Sequence, residues 1–443
     1  MKKFVETLKN IFSIEDLRVR IYNTLGFLLI FRLGSYIVLP GVDATKLAAD
    51  NGGIFGLLNT FSGGAFNNAS ILALGIMPYI SASIIVQLLT VAFPYFSKLQ
   101  KEGESGRKKI NQWTRVLTIV IAIGQSLGYV AATIPAEAII PGFDRSLMTF
   151  SSVVILTSGT MFCMWLGEKI TDRGIGNGIS MLIMIGIISR FPAAIIFEAG
   201  ERGDNQILLF VIELVALFFI IMGVVLLTQA TRRIPVQYAK QVVSGKVLGG
   251  QRQYLPIKLN TAGVMPIIFA QSILFIPPML GRYIADKYQS DFAATISSTF
   301  SDPTSWQYNL TSAILIIAFT FFYTAITVNP VQIADDMKRN NGFIPSVKPG
   351  EETAEYIDEV ISRISLPGAL FLASLAILPA FVALMGVSKD FSLFFGGTSL
   401  LIMVGVVLDT LQQVESYLLL KKYDGLMSSG RVRGRADSGE VEL

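Results

Sequence analysis

Four ionisable side chains sit in or beside long apolar runs: Arg32, Glu213, Asp409 and Glu415. In a membrane, proton or cation coupling would take place at such groups, and it calls for an ionisable cluster near the middle of the bilayer. The spacing does not supply one. Glu213 and Glu415 fall near the ends of their runs, where a long side chain snorkels to water. Asp409 lies toward an interface, and Arg32 is expected to pair or to reach backbone carbonyls. Other chemistry-bearing residues are scarcer still. The 443 residues include no histidine, the commonest general base and metal ligand. The single cysteine, Cys163, allows neither an intrachain disulfide nor a cysteine metal cage. A nucleotide-binding loop, a two-histidine metalloprotease motif and a Gly-x-Ser-x-Gly elbow do not occur in the sequence. Gly174-Ile175-Gly176-Asn177-Gly178 follows an apolar helix and not a strand, so it reads as a loop and not as a dinucleotide fingerprint. The pattern points away from an enzyme, and it implies no cofactor and no metal.

The elements around these residues are apolar. Hydrophobic residues make up 52% and charged residues 15%, against roughly a quarter charged in soluble domains, and the mean hydropathy is +0.57. These values exclude disorder, a coiled coil and an ordinary soluble enzyme, leaving an all-α polytopic membrane protein. A helix needs about 20 apolar residues to cross. Ten runs qualify, at about 21–40, 69–93, 115–135, 147–168, 179–198, 207–228, 263–284, 310–330, 366–386 and 393–418. Residues 1–20 carry eight charged side chains and lack the apolar core of a cleavable signal peptide. Assigning 1–20, 94–115, 169–178, 229–260, 331–365 and 418–443 to one side places 28 of the 36 basic residues there. Seven fall opposite and Arg32 stays inside the first span. By the positive-inside rule the basic side, with both termini, is cytoplasmic.

Two of the internal loops on that side are strongly basic: Lys98, Lys101, Arg107, Lys108, Lys109 and Arg115 in one, Arg232, Arg233, Lys240, Lys246, Arg252 and Lys258 in the other. They read either as topology signals near anionic lipid or as a docking surface for an acidic partner or ribosomal RNA. The segment 53–66 fits no span. Its apolar part, Ile54 to Phe61, is too short to cross, and glycine pairs (Gly52/Gly53 and Gly63/Gly64) flank it. It either lies in the interface or folds back as a re-entrant stopper. Prolines punctuate several runs: Pro78, Pro192, Pro266, Pro277, Pro278, Pro330 and Pro379. Polar residues concentrate at Ser81, Ser83 and Gln87, at Gln271 and Ser272, and at Asn329, as a helix–helix hydrogen-bond seam or as the lining of a path. Ten spans divide as five plus five, and odd-numbered halves enter the membrane from opposite sides.

Several stretches resemble one family. Phe31-Arg32-Leu33-Gly34 with Pro40-Gly41, and Ser62-Gly63-Gly64-Ala65 running on to Ala73-Leu74-Gly75-Ile76-Met77-Pro78-Tyr79-Ile80-Ser81-Ala82-Ser83-Ile84, resemble the SecY family of protein-translocation channels. So do Lys101-Glu102-Gly103-Glu104-Ser105-Gly106-Arg107, Thr171-Asp172-Arg173-Gly174-Ile175-Gly176-Asn177-Gly178-Ile179-Ser180 and Phe395-Gly396-Gly397-Thr398-Ser399-Leu400-Leu401-Ile402. The match runs in register from residue 17 to about 420.

The resemblance implies two inverted five-helix halves, 21–198 and 199–418, around an hourglass pore, between a cytoplasmic segment 1–20 and a tail 419–443. It implies a constriction of Ile80, Ile84, Ile183, Ile187, Ile273 and Ile402, and a plug over about 53–66 carrying Ile54, Phe55, Leu57, Leu58 and Phe61. A lateral gate would use Ser81, Ser83, Gln87, Gln271 and Asn329. Loops 229–260 and 331–365 would dock the SecA motor or the ribosome, ribosomal RNA included, through Arg232, Arg233, Lys240 and Lys348. At Lys348-Pro349-Gly350 the family typically has arginine, so here the charge is kept and the planar donor fork is lost. The implied partners are SecE, SecG, SecA, the ribosome, preprotein signal sequences and membrane lipid, in a bacterial inner membrane. Two other readings compete: a secondary transporter for a small solute, which predicts a polar midplane site, and an intramembrane enzyme, which predicts a catalytic set within the spans.

Overall fold

The computed structural model of the chain describes Phe12 and residues 14–428, apart from 44–45, 48–58, 60–61, 141–143, 204–205, 239–240, 244–245, 249–251, 275–276, 279–280, 282–283 and 285–289. The apolar runs become helices because the hydrocarbon core offers the backbone no partner but itself. On one half these are α1 (Glu15–Gly34), α2 (Met77–Ala92), α3 (Pro94–Lys101), α4 (Glu104–Thr133), α5 (Arg145–Arg173) and α6 (Gly178–Arg202). Next come α7 (Ile207–Gln229), α8 (Met265–Leu274), α9 (Asp291–Ser301), α10 (Trp306–Thr327), α11 (Pro330–Arg339), α12 (Glu351–Leu384), α13 (Lys389–Ser392) and α14 (Gly397–Ser428). Among the described residues seven helices are long and apolar enough to cross a bilayer: α4, α5, α6, α7, α10 continued by α11, α12 and α14. The α2–α3 pair, bent by 103°, makes up to eight. Each of the ten expected spans overlaps a described helix, and ten is consistent with these helices, though α1 and α8 fall short of that length or composition.

Two expectations shift. The run 69–93 becomes helical only at Met77. Before it, Ser62–Ile76 is a chain of turns, because Gly63, Gly64, Gly75 and Ala69 all have positive φ (65°, 92°, 52° and 43°). Its backbone is satisfied from outside: Leu39 N donates to Ala69 O at 2.8 Å, Ile71 N to Ile37 O at 2.9 Å, and the Tyr129 hydroxyl to Phe66 O at 2.6 Å. The prolines also divide by position. Pro78, Pro266 and Pro330 stand in the first turns of α2, α8 and α11, where a missing N–H costs nothing. Pro192 and Pro379 are interior to α6 and α12.

Helices α4 and α5 pack side by side, α2 lies on α4, and α6 runs between α5 and α14. On the other half α10 lies between α8 and α12. The α5–α6 contact is close. A Cβ on Gly178 would stand 1.9 Å from the Gly167 carbonyl oxygen. Replacing Gly178 by alanine should therefore cost about 1–3 kcal/mol through forced separation of the two helices, read as a lower melting temperature of the purified chain; an unchanged melting temperature would contradict that contact.

Of the two strongly basic loops, 94–115 is helical, in α3 and the start of α4, whereas 229–260 is built of strands. Strand β1 (Thr231–Tyr238) pairs antiparallel with β4 (Arg252–Lys258), and β5 (Gly342–Phe343) adds to the other edge of β1; β2 (Gln241–Val243) and β3 (Lys246–Leu248) form a short hairpin at the tip. Pro235 is tolerated in the middle strand because β5 reaches only Gln237 and Tyr238. Ile234, Val236 and Ile257 bury themselves with Met337, Ile344, Ile357 and Ile361. The described strands of 229–260 thus form one folded module with Gly342–Phe343, α11 and the base of α12 from 331–365.

Candidate functional site

Five of the six singled-out isoleucines come together. Ile80 and Ile84 project from α2, Ile183 and Ile187 from α6, and Ile402 from α14. All are at most 8% exposed and belong to one apolar cluster. Each i,i+4 pair presents a common helix face, so three helices contribute branched alkyl groups to this cluster.

Ile273 is not among them. It is 41% exposed. The α8 side chains in the cluster are Ile267, Phe269 and Ala270, all buried, with Met265 and Ile268 packed against it. A cross-helix bond fixes the level. The Thr398 hydroxyl donates to Gln271 Oε1 at 3.0 Å. Gln271 lies one turn beyond Ile267 and Ile268, and Thr398 one turn before Ile402. With α10 and α12 crossing between them, α8 and α14 run in opposite directions, which puts Ile402 level with Ile267 and Ile268.

Arg32 reaches the backbone next to this cluster. Its Nη1 donates to the Gly63 carbonyl at 2.9 Å and its Nη2 to the Tyr36 hydroxyl at 3.0 Å. Gly63 is packed so closely that a Cβ would stand 2.6 Å from Arg32 Nη1 and 3.0 Å from both Gly186 Cα and Ser189 Oγ. At Gly63 the end of the 53–66 segment is held between α1 and α6, against Gly186 and Ser189. The segment's apolar residues Ile54, Phe55, Leu57, Leu58 and Phe61 lie outside the described residues.

The SecY family model matches residues 70–411. Protein translocase subunit SecY of Escherichia coli K12 is 43% identical over 434 residues, covering 95% of this chain and 96% of its own. The Streptomyces scabiei counterpart is 44% identical over 434 residues, covering 94% and 98%. The chain belongs to the SecY family. The SecY fold is seen as well in the solved structure of a protein conducting channel (TM-score 0.64, 17% identity, 90% and 92% covered). The yeast Ssh1 complex bound to the 80S ribosome gives a TM-score of 0.61 at 14% identity, with 96% and 94% covered.

Ser81 donates to the Met77 carbonyl of its own helix, and Ser83 accepts a long 3.5 Å bond from Gln87. Asn329 is exposed and caps α11, its Oδ1 accepting from Gln332 N at 3.2 Å. Gln271 alone of the five bonds across helices, and to α14. Arg232 and Arg233 are exposed on β1, opposite Ile257 and Pro256. Lys240 lies outside the described residues. Lys348 is exposed, and its Nζ pairs with Glu352 at 3.1 Å.

Two features escaped the sequence reading. The Gly174–Gly178 loop is a joint. Gly176 N donates to Gln413 Oε1 of α14 at 2.8 Å, Ile175 N to Thr24 Oγ1 of α1 at 3.1 Å, and Asn177 caps α6. Glu213 does not snorkel; it is buried against Arg202. An arginine 11 residues earlier in the sequence was the available signal.

Proposed function

We propose that this chain is the channel subunit of a bacterial protein translocase, passing unfolded signal-bearing preproteins across the membrane and releasing apolar segments sideways into lipid. The carrying observation is the buried apolar cluster to which α2, α6, α8 and α14 all contribute. A ring of branched alkyl groups offers water and ions no partner, yet deforms around any polypeptide. We assign the constriction to Ile80, Ile84, Ile183, Ile187 and Ile402, with Ile273 as the α8 member. The halves are 21–198 and 199–418, with a plug at 53–66.

The lateral gate falls between α2–α4 and α8–α10. Each pair packs well within itself, and among the described residues no extensive packing joins the two pairs. The β1–β4 module and Lys348 form the docking face for SecA and the ribosome; the ribosome-bound relatives support the latter. SecE and SecG complete the complex, both termini are cytoplasmic, and the membrane is the bacterial inner membrane. The chain supplies the path, and the energy comes from SecA and ATP, from ribosomal synthesis or from the proton-motive force.

The test uses sealed vesicles containing the chain with SecE and SecG. SecA, ATP and an unfolded precursor bearing a signal sequence are added, and protease protection of the precursor is measured. Protection that requires both ATP and the signal is expected. No protection with a folded complex and an active motor would overturn the proposal.

A further inference from the structure

At the far end of α6 from the basic loops, a buried ionic cluster ties the two halves. Arg202 donates from Nε to Glu198 Oε1 at 3.0 Å, from Nη2 to Glu213 Oε1 at 2.6 Å and to the Gly386 carbonyl at 2.8 Å, and from Nη1 to Gln206 at 3.3 Å. Ser388 N donates to the second oxygen of Glu198 at 3.0 Å. The side chains of Glu198, Arg202 and Glu213 are 1%, 14% and 9% exposed. Arg202 and Glu198 belong to α6, Glu213 to α7, and Gly386 and Ser388 to the turn from α12 to α13. Nearby, Arg190 approaches Asp390 of α13 at 3.8 Å, and the Phe191 and Phe394 rings meet at 5.0 Å.

Two carboxylates around one guanidinium, out of water, are a poor way to gain stability, since apolar residues of equal volume usually do as well or better. What such a cluster supplies is position. Ile183, Ile187, Phe191, Ala194, Glu198 and Arg202 recur at steps of three and four, and therefore share one face of α6. That face carries the constriction isoleucines in its middle and the ionic cluster at its end. The other end of α6 is tied to α14 by the bond from Gly176 to Gln413. The α12–α13 turn that receives Arg202 leads directly into α14, which carries Ile402.

We propose that Arg202 is a positioning residue: with Glu198 and Glu213 it locks the end of α6 to the α12–α13 turn, and so sets the separation between Ile183 and Ile187 on one half and Ile402 on the other. The proposal rests on the channel reading above. When the lock is lost, α6 pivots about its Gly176 end and the constriction widens.

The experiment uses the complete complex in lipid bilayers. The variants are Arg202→Lys, which keeps the charge and loses the fork, and the neutral triple Glu198→Gln/Arg202→Met/Glu213→Gln, which leaves no buried charge unpaired. The readouts are idle ion conductance and the distance between spin labels on α6 and α14, with the melting temperature as a control. The triple variant should raise idle conductance on the order of tenfold, the size of an ordinary coupling, and lengthen the label distance at a near-native melting temperature. Arg202→Lys should fall between. Native conductance and label distance in both variants would overturn the lock. An Ile187→Gly/Ile402→Gly double variant separates the two levels of the argument. If it leaks while the lock variants do not, only the lock fails; if it does not leak either, the channel reading itself is at fault.

Discussion

Replacing Ile84, Ile187 and Ile402 together by glycine should make the idle channel conduct ions, with a rise of at least about a hundredfold. The three side chains come from α2, α6 and α14 and are 8%, 0% and 4% exposed. Each withholds about 2 kcal/mol of apolar surface from water. If half of that enters the barrier to a continuous water column, three replacements lower the barrier by about 3 kcal/mol, a factor of more than a hundred. Conductance of the complex in a planar bilayer measures the effect directly. Replacement of the same three by valine keeps the branched lining and should leave the seal near native, which separates loss of the seal from general loosening of the core. The idea fails if the glycine variant inserts and melts as a folded complex yet stays as tight as the native protein. A solute transporter would respond differently, with altered substrate affinity and little leak.

The spans were readable because the bilayer couples sequence to structure with few exceptions: twenty apolar residues in a row have one way to satisfy their backbone. The exceptions are instructive. Residues 69–76 are apolar enough to be counted into a span, but Ala69 and Gly75 take positive φ, which no hydropathy average registers. The β1–β4 module was read as loop because its stability is nonlocal. Ile234 and Val236 are buried only after Met337 and Ile357 arrive from more than a hundred residues away. The apolar cluster shows both sides of this. The i,i+4 pairs on α2 and α6 carry their own phase, and all four are buried in it. On α8 the cluster takes Ile267, Phe269 and Ala270, while Ile273 is 41% exposed. Glu213 misled for a related reason. A carboxylate near a helix end reads as solvated until Arg202, from another helix, is seen to close over it.

Replacing Arg32 by leucine should release the chain at Ser62–Ala65 from its seat between α1 and α6. The Gly63 carbonyl would then be left in the interior without its guanidinium donor, at a cost of about 1–3 kcal/mol. That shifts a local docked–undocked equilibrium by roughly ten- to a hundredfold. A cysteine introduced by Ala65→Cys, at a position with no exposed surface, reports the change through its rate of alkylation by a membrane-impermeant reagent; native Cys163, buried in α5, serves as the unreactive reference. Gly63→Ala should reach the same end by another route, since φ of +65° and contacts of 2.6–3.0 Å leave no room for a methyl group. Tyr36→Phe should change little, because it removes only the second donor contact and spares the bond to Gly63. Native alkylation rates in both Arg32→Leu and Gly63→Ala would show that this seat does not hold the segment. If the rates rise as expected, idle conductance should rise with them, because the wall that Gly63 presses on is Gly186, the residue next to Ile187. The same pressure that seats the segment then bears on the constriction, and the two seals open together.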